Sequence, residues 1–402
     1  MARTKDPRTI AANNGIATDT AFGAVTPPIH LSTTFAFAGF ERSRTHDYSR
    51  TANPSRDLLA DTLAQLEGGA GAVVVSSGMA AIDLVLSLLA PDDLVLAPHD
   101  CYGGTHRLLS MRSERKQFET IFINQNDEAA LMKALEAFPS LVLIETPSNP
   151  LMRVVDISKI AGLAKAVGAR VAVDNTFLSP ALQRPLLMGA DLVIHSTTKY
   201  LNGHSDVLGG AVIAADKDVA AALAAWANMT GVTASPFDCY LTLRGLRTLF
   251  PRIEHQQQTA GAIAEFLRRH SAVRTVHYPG LASDPGHQLA KTQQLGFGAM
   301  LSFELAGGVG AVRQLVENVR LFTLAESLGG IESLVAHPAT MTHAGMDAEA
   351  RRVAGITDGL LRLSIGLEAE ADLLSDLETA LRSVASVAAS GNDAGSAVAH
   401  LS

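Results

Sequence analysis

The sequence predicts an α/β protein: a large domain built on a mainly parallel, doubly wound sheet, followed by a smaller α+β domain. Between about residues 61 and 255, short apolar runs alternate with helical patterns, the signature of strand–helix–strand units. Some of these runs are apolar throughout, as in strands buried on both faces. Two of them end abruptly in polar side chains, as strands do when they deliver groups to a site at their carboxyl ends.

Residues 1–60 read as an arm. They carry Pro27-Pro28, few periodic apolar stretches and the mixed segment from His46 to Pro54. An arm this long cannot bury itself, so it is expected to pack on a partner subunit. Pro54 then opens a helix with Leu58, Leu59, Leu63 and Leu66 on one face, closed by Gly68-Gly69. Strands are expected at Ala72–Val75, Asp93–Leu96, Thr120–Ile123, Leu141–Ile144, Arg170–Val173 and Asp191–Ile194. Residues 256–402 mix long helices with the apolar runs Met300–Leu305 and Leu360–Ile365, an α+β pattern. From about residue 386 the Ala, Ser and Gly content predicts a frayed, flexible tail.

Composition excludes some functions. The 40 acidic and 32 basic residues give a net charge of −8, which argues against nucleic-acid binding driven by charge. No apolar run approaches the roughly 18–20 residues that cross a bilayer, so no membrane association is expected. The first residues lack the apolar core of a secretory signal. Two cysteines, Cys101 and Cys239, supply neither a disulfide framework nor a thiolate cluster, and the 13 histidines show no ligand spacing. A cytoplasmic protein without a metal is the expectation.

Lys199 is the most informative residue. It follows the run Asp191-Leu-Val-Ile-His-Ser-Thr-Thr, where apolar walls and nearby cations would lower its pKa and make the amine nucleophilic. A surface lysine after a strand is the plainer account. Asp174 ends a neighbouring run, and a lysine, an acid and two hydroxyls converging on one sheet edge point to a pyridoxal phosphate site. Asp174 then pairs with a protonated pyridine nitrogen, or merely caps a turn. Ser76-Ser77-Gly78-Met79-Ala80 opens a helix whose first amides suit a phosphate, or forms a simple capped turn. Ser196 and Thr198 flank the lysine and offer further donors to the same phosphate. Tyr102, beside two glycines, either stacks on a ring and serves in proton transfer or is satisfied internally. Arg362 lies in an apolar run with no sequence neighbour to neutralise it. It suits a substrate α-carboxylate, with a salt bridge to Glu368 or Glu370 as the alternative. Asn149 sits in a proline-bracketed loop, placed to touch cofactor or substrate or only to shape the turn.

Ten ordered segments resemble the Cys/Met-metabolism family of pyridoxal phosphate enzymes, the transsulfuration γ-family. They include Asp47-Tyr-Ser-Arg50, Ser77-Gly-Met-Ala80, Ala97 through Gly104, Glu145-Thr-Pro-Ser-Asn-Pro150, Val173 through Pro180, and His195 through Asp206. Leu243 through Thr248, Gly296 through Phe303, Ala325 through Gly330 and Met341 through Met346 complete the set. The resemblance runs from about residue 8 to about residue 385.

It implies fold type I, the aspartate-aminotransferase-like α/β fold, with a large, mainly parallel seven-stranded sheet domain over residues 61–255 and a smaller α+β domain over 256–402. It implies pyridoxal 5′-phosphate held covalently by Lys199, paired by Asp174, stacked by Tyr102, and bound at its phosphate by Gly78, Met79, Ser196 and Thr198. Tyr48 and Arg50 would reach the phosphate of a neighbouring subunit, in a homotetramer built as a dimer of dimers with shared active sites. Arg362 would hold the carboxylate of a small amino-acid substrate, with Asn149 and Ser327 nearby. Within the family the chain is most similar to bacterial synthases that join an O-acylated homoserine, such as O-succinyl-L-homoserine, to L-cysteine. Glu326 before Ser327 fits synthases and γ-lyases, and Gly104 stands where methionine γ-lyases carry a cysteine. Arg107 is placed to meet a distal succinyl carboxylate. Thr51 stands where those synthases have an arginine, which leaves γ-elimination of cystathionine and an O-acetylhomoserine sulfhydrylase as alternatives.

Overall fold

The computed structural model describes residues 5–346 and 348–396. The strands, in chain order, are β1 (Gly71–Val75), β2 (Leu94–Pro98), β3 (Glu119–Ile123), β4 (Leu141–Glu145), β5 (Arg170–Asp174), β6 (Leu192–Ser196), β7 (Gly210–Ala214), β8 (Val273–His277), β9 (Met300–Leu305), β10 (Thr323–Leu324), β11 (Leu334–Ala336) and β12 (Leu360–Ser364). The first seven form one sheet in the order β1-β7-β6-β5-β4-β2-β3. All neighbours run parallel except β7, which opposes both β1 and β6. The remaining five form a second sheet, β10-β11-β12-β9-β8, antiparallel except at its β10 edge.

The six runs read as strands all lie in the large sheet; β7 was not among them. Its sequence, Gly-Ala-Val-Ile-Ala, is short and rich in small residues, yet every position is buried between β1 and β6. In the second sheet, Met300–Leu305 and the run from Leu360 are strands, whereas β8, β10 and β11 carried no apolar run long enough to stand out. The helix Leu249–Arg269 crosses position 256, where composition divides the chain. The last helix, Glu370–Ser396, continues through the segment read as a frayed tail from 386. Residues 397–402 of that segment lie outside the described residues. Among the described residues no helix is long and apolar enough to cross a membrane.

Local rules explain the helix ends that matter. In the helix Pro54–Glu67, Asn53 accepts from the Ser55 N–H, Pro54 takes the first turn, and Gly68 closes the helix at φ 78°. In the helix Gly78–Leu86, Ser77 caps by accepting from Ala80 N. Apolar side chains fill both faces of the large sheet, with Val95, Leu143, Ala172 and Ile194 on one face and Leu96, Val142, Ile144 and Val173 on the other. That double burial explains why these strands read as continuous apolar runs.

Candidate active site

The carboxyl ends of β4, β5 and β6 open into a cavity of about 340 Å³. Gly78, Met79, Tyr102, Asn149, Asp174, Ser196, Thr198, Lys199, Glu326, Ser327 and Arg362 all line it. The parallel sheet brings them together because its strands end on one side, where helix starts and loops must carry the polar groups.

Lys199 lies three residues beyond β6 and donates from Nζ to Ser327 Oγ at 2.8 Å. Burial, aided by the Arg362 cation, lowers its pKa to about 8, against a smaller opposing pull from Glu326. The amine is therefore far more available near neutral pH than an ordinary lysine. Asp174 ends β5, where its Oδ1 accepts from Thr176 N at 3.0 Å. Burial raises its pKa, and the Thr176 bonds and His195 pull the other way. Glu145, which ends β4, stands opposite Asp174 in the β4–β5 ladder. Burial first, then the Asp174 charge, push the Glu145 carboxyl well above the usual range.

Two buried carboxyls side by side can hold negative charge only with a cation between or beside them; without one, the proton stays on. The described residues supply no salt bridge to either. A protonated pyridine ring meets that requirement. The phosphate end is equally provided for. Ser77 Oγ takes the Ala80 N–H, so the Gly78 and Met79 amides at the start of a nine-residue helix face the cavity with no protein acceptor among the described residues. A Cβ on Gly78 would lie 2.7 Å from Ser196 Cβ, so only glycine lets the helix start come this close to β6. The residues fit pyridoxal phosphate.

Arg362 is 2% exposed on β12. Its Nη1 donates to Asn149 Oδ1 at 2.8 Å and its Nη2 to the Ser327 carbonyl at 2.9 Å, while Nε has no partner. Glu368 is not its counter-ion: that carboxylate accepts from Ser333 N and Oγ. No ion pair holds Arg362 among the described residues, and burial lowers its pKa to about 10. Ser327, which bridges Lys199 and Arg362, adopts φ 88°, a strained value for a residue with a Cβ.

Three residues singled out in the sequence do not line the cavity. Tyr48 and Arg50 are exposed on the arm, where Arg50 Nη1 donates to the Asn228 carbonyl at 2.8 Å and its guanidinium lies 5.6 Å from the Tyr48 ring centroid. Arg107 is exposed on the helix Gly103–Glu114, beside Gly345. Conversely, Glu145 and Thr176 line the cavity without having been assigned a role. Thr176 Oγ1 accepts from Ser196 N at 2.9 Å, tying the ends of β5 and β6. A second strand-end acid beside Asp174 was the available signal for Glu145.

A lysine amine with lowered pKa, a buried acid for a ring nitrogen and a helix start for phosphate define a pyridoxal phosphate enzyme of fold type I. The model of the family "Cys/Met metabolism PLP-dependent enzyme" matches residues 8–382. The chain is 56% identical over 380 residues to cystathionine gamma-synthase of Escherichia coli strain K12, covering 94% of this chain and 98% of the relative. It is 43% identical to cystathionine gamma-lyase of Bacillus subtilis strain 168, covering 94% of this chain and 99% of that one. A crystal structure of cystathionine gamma synthase from Xanthomonas oryzae pv. oryzae, in complex with cystathionine, superimposes with a TM-score of 0.95 at 57% identity, covering 96% of this chain and 100% of that one. The chain belongs to the Cys/Met-metabolism family of pyridoxal phosphate-dependent enzymes.

Proposed function

We propose that the chain catalyses γ-replacement, joining an O-acylated homoserine, O-succinyl-L-homoserine in particular, to L-cysteine to form L-cystathionine. The observation that carries this reading is Arg362, a buried guanidinium free of any carboxylate and set by Asn149 and Ser327 beside Lys199. It suits the α-carboxylate of an amino acid whose amine approaches Lys199.

Bound pyridoxal phosphate supplies an electron sink for negative charge at the substrate Cα. The protein supplies the rest. Arg362 and Asn149 fix the carboxylate and so aim the Cα–H at Lys199. The Lys199 amine takes that proton and assists removal of one from Cβ, while Ser327 holds the amine through its hydroxyl. The acyl group departs from Cγ as its carboxylate, and the cysteine sulfur bonds to Cγ in its place. Tyr102, at the cavity mouth, accepts the proton of the incoming thiol. Lys199 then returns protons to the carbon skeleton.

Gly104 supports this reading over methionine γ-lysis. A Cβ there would lie 2.6 Å from a Tyr102 ring carbon and 2.9 Å from Met79 Sδ, so a side chain at this position displaces the ring. Greater identity to the synthases than to the γ-lyase points the same way. Thr51 and the absence of Arg107 from the cavity lining favour a second reading, γ-elimination of cystathionine. Parallel assays decide between them. Cystathionine formed from O-succinyl-L-homoserine and cysteine faster than from O-acetyl-L-homoserine supports the proposal, whereas 2-oxobutanoate and ammonia released faster from cystathionine reject it.

The arm belongs to the same proposal. Phe22 and Phe40 are more than 90% exposed, and Tyr48 and Arg50 lie outside the cavity of their own chain. A homotetramer of arm-exchanging dimers would cover the aromatics and bring Tyr48 and Arg50 to a neighbour's phosphate. Light scattering at the mass of a single chain refutes that assembly. Cytoplasmic residence fits the two buried free thiols, Cys101 and Cys239.

A further inference from the structure

Glu145 is the buried acid that the mechanism does not use. It is 8% exposed and lines the cavity directly opposite Asp174 in the β4–β5 ladder. Each of its oxygens accepts a backbone N–H: Oε2 from Tyr102 at 2.8 Å and Oε1 from Asn149 at 3.0 Å. These two amides belong to the segments that follow the neighbouring strands β2 and β4. Tyr102 is the N-cap residue of the helix Gly103–Glu114, but no side chain caps that helix start. Asn149 carries the amide oxygen that accepts from Arg362. The backbone beyond Asn149 is held from the other side, where the buried His343 lies 3.1 Å from the Asn149 carbonyl.

We propose that Glu145 is a positioning residue that sets the stacking ring of Tyr102 and the Asn149–Arg362 carboxylate clamp as one unit, in register with Asp174. A carboxyl group is required at this place because only two oxygens on one carbon can accept both amides. A carboxamide keeps one acceptor and turns a donor toward the other N–H. Loss of this double acceptor frees the Tyr102 backbone and the Asn149 backbone together, so it weakens cofactor binding as well as amino-acid binding.

The inference rests on the reading of this cavity as the pyridoxal phosphate and amino-acid site. Its test uses probes that do not depend on which reaction is catalysed. In Glu145→Gln, the dissociation constant for pyridoxal phosphate and the L-alanine concentration that half-saturates the cofactor spectral change should both rise, each by about tenfold for one lost hydrogen bond that leaves a buried N–H unsatisfied. Combined with Asn149→Ala, the second effect should be less than additive, because Glu145 acts on the carboxylate through Asn149. A lower melting temperature with both constants unchanged overturns the proposal, as does a rise in one constant without the other, or strict additivity. If Glu145→Gln does not fold, Glu145→Asp keeps two acceptors on a shorter stem and should raise both constants by a smaller factor. Unchanged constants in that variant overturn the proposal equally.

Discussion

The Lys199 amine donates to the Ser327 hydroxyl at 2.8 Å, and the carbonyl of the same serine accepts from Arg362 at 2.9 Å. The lysine amine and the arginine guanidinium are thus held through one residue of strained backbone, φ 88°. Strain of this kind persists only where surrounding bonds fix it, and here both bonds serve the site.

Ser327→Ala and Ser327→Gly both remove the hydroxyl, but only glycine relieves the backbone. Urea unfolding should therefore find the glycine variant more stable than the alanine variant by about 1 kcal/mol. Both should turn over more slowly than the parent, since Lys199 loses its acceptor.

Lys199→Ala should abolish turnover and the absorbance near roughly 420 nm that marks the covalently held cofactor. Retention of either in the purified variant contradicts the assignment.

The lowered Lys199 pKa sets a pH window. The free amine, not the ammonium, captures pyridoxal phosphate, so capture by cofactor-free protein should accelerate as pH rises through about 8. Arg362 contributes to that lowering, so Arg362→Leu should move the midpoint upward. The sign for stability is the same. Between about 8 and the model-peptide value of 10.5 the unfolded chain binds more protons at this lysine than the folded one, so its burial penalises folding less as pH rises through that range. Stopped-flow absorbance across pH 6–10 (range chosen about that midpoint) reads the capture rate.

Arg362→Lys should raise the KM for amino-acid substrates by about 100-fold, because an ammonium cannot reproduce the paired donors that Asn149 and Ser327 orient. Steady-state kinetics on cofactor-saturated enzyme gives the value, with kcat affected less than KM.

Gly210→Ala tests the reversed strand. A Cβ there would lie 2.0 Å from the Ser77 carbonyl oxygen and 2.5 Å from its carbon, both backbone atoms. Either β7 or the start of the helix Gly78–Leu86 has to shift, at a cost of about 1–3 kcal/mol. Thermal unfolding and the pyridoxal phosphate dissociation constant should worsen together, because the same helix start presents the phosphate amides.

Strands such as β4 and β6 were legible because strands covered on both faces keep nearly every residue apolar; the partly exposed edge strand β3 was legible from its short apolar run alone. Strand β7 is as buried as β4, but its small residues hid it, and its reversed direction depends on pairing with partners far apart in sequence. The site followed the same division. Lys199, Asp174 and Tyr102 could be named from polar residues ending apolar runs. That Arg362 has no carboxylate partner could not, since Glu368 was an equally good candidate until Ser333 proved to hold it. Glu145 was visible only as one more strand-end acid.

The sequence by itself determined the chemistry available: a lysine and an acid at strand ends, a small-residue helix start and an arginine in an apolar run, each marked by polarity that breaks an apolar pattern. Tertiary structure decided which of these groups meet and how they are charged. Lys199, Ser327 and Arg362 come from a loop after β6, a loop before β11 and the strand β12. Their pKa shifts arise from burial and from charges across those elements, which no spacing along the chain encodes.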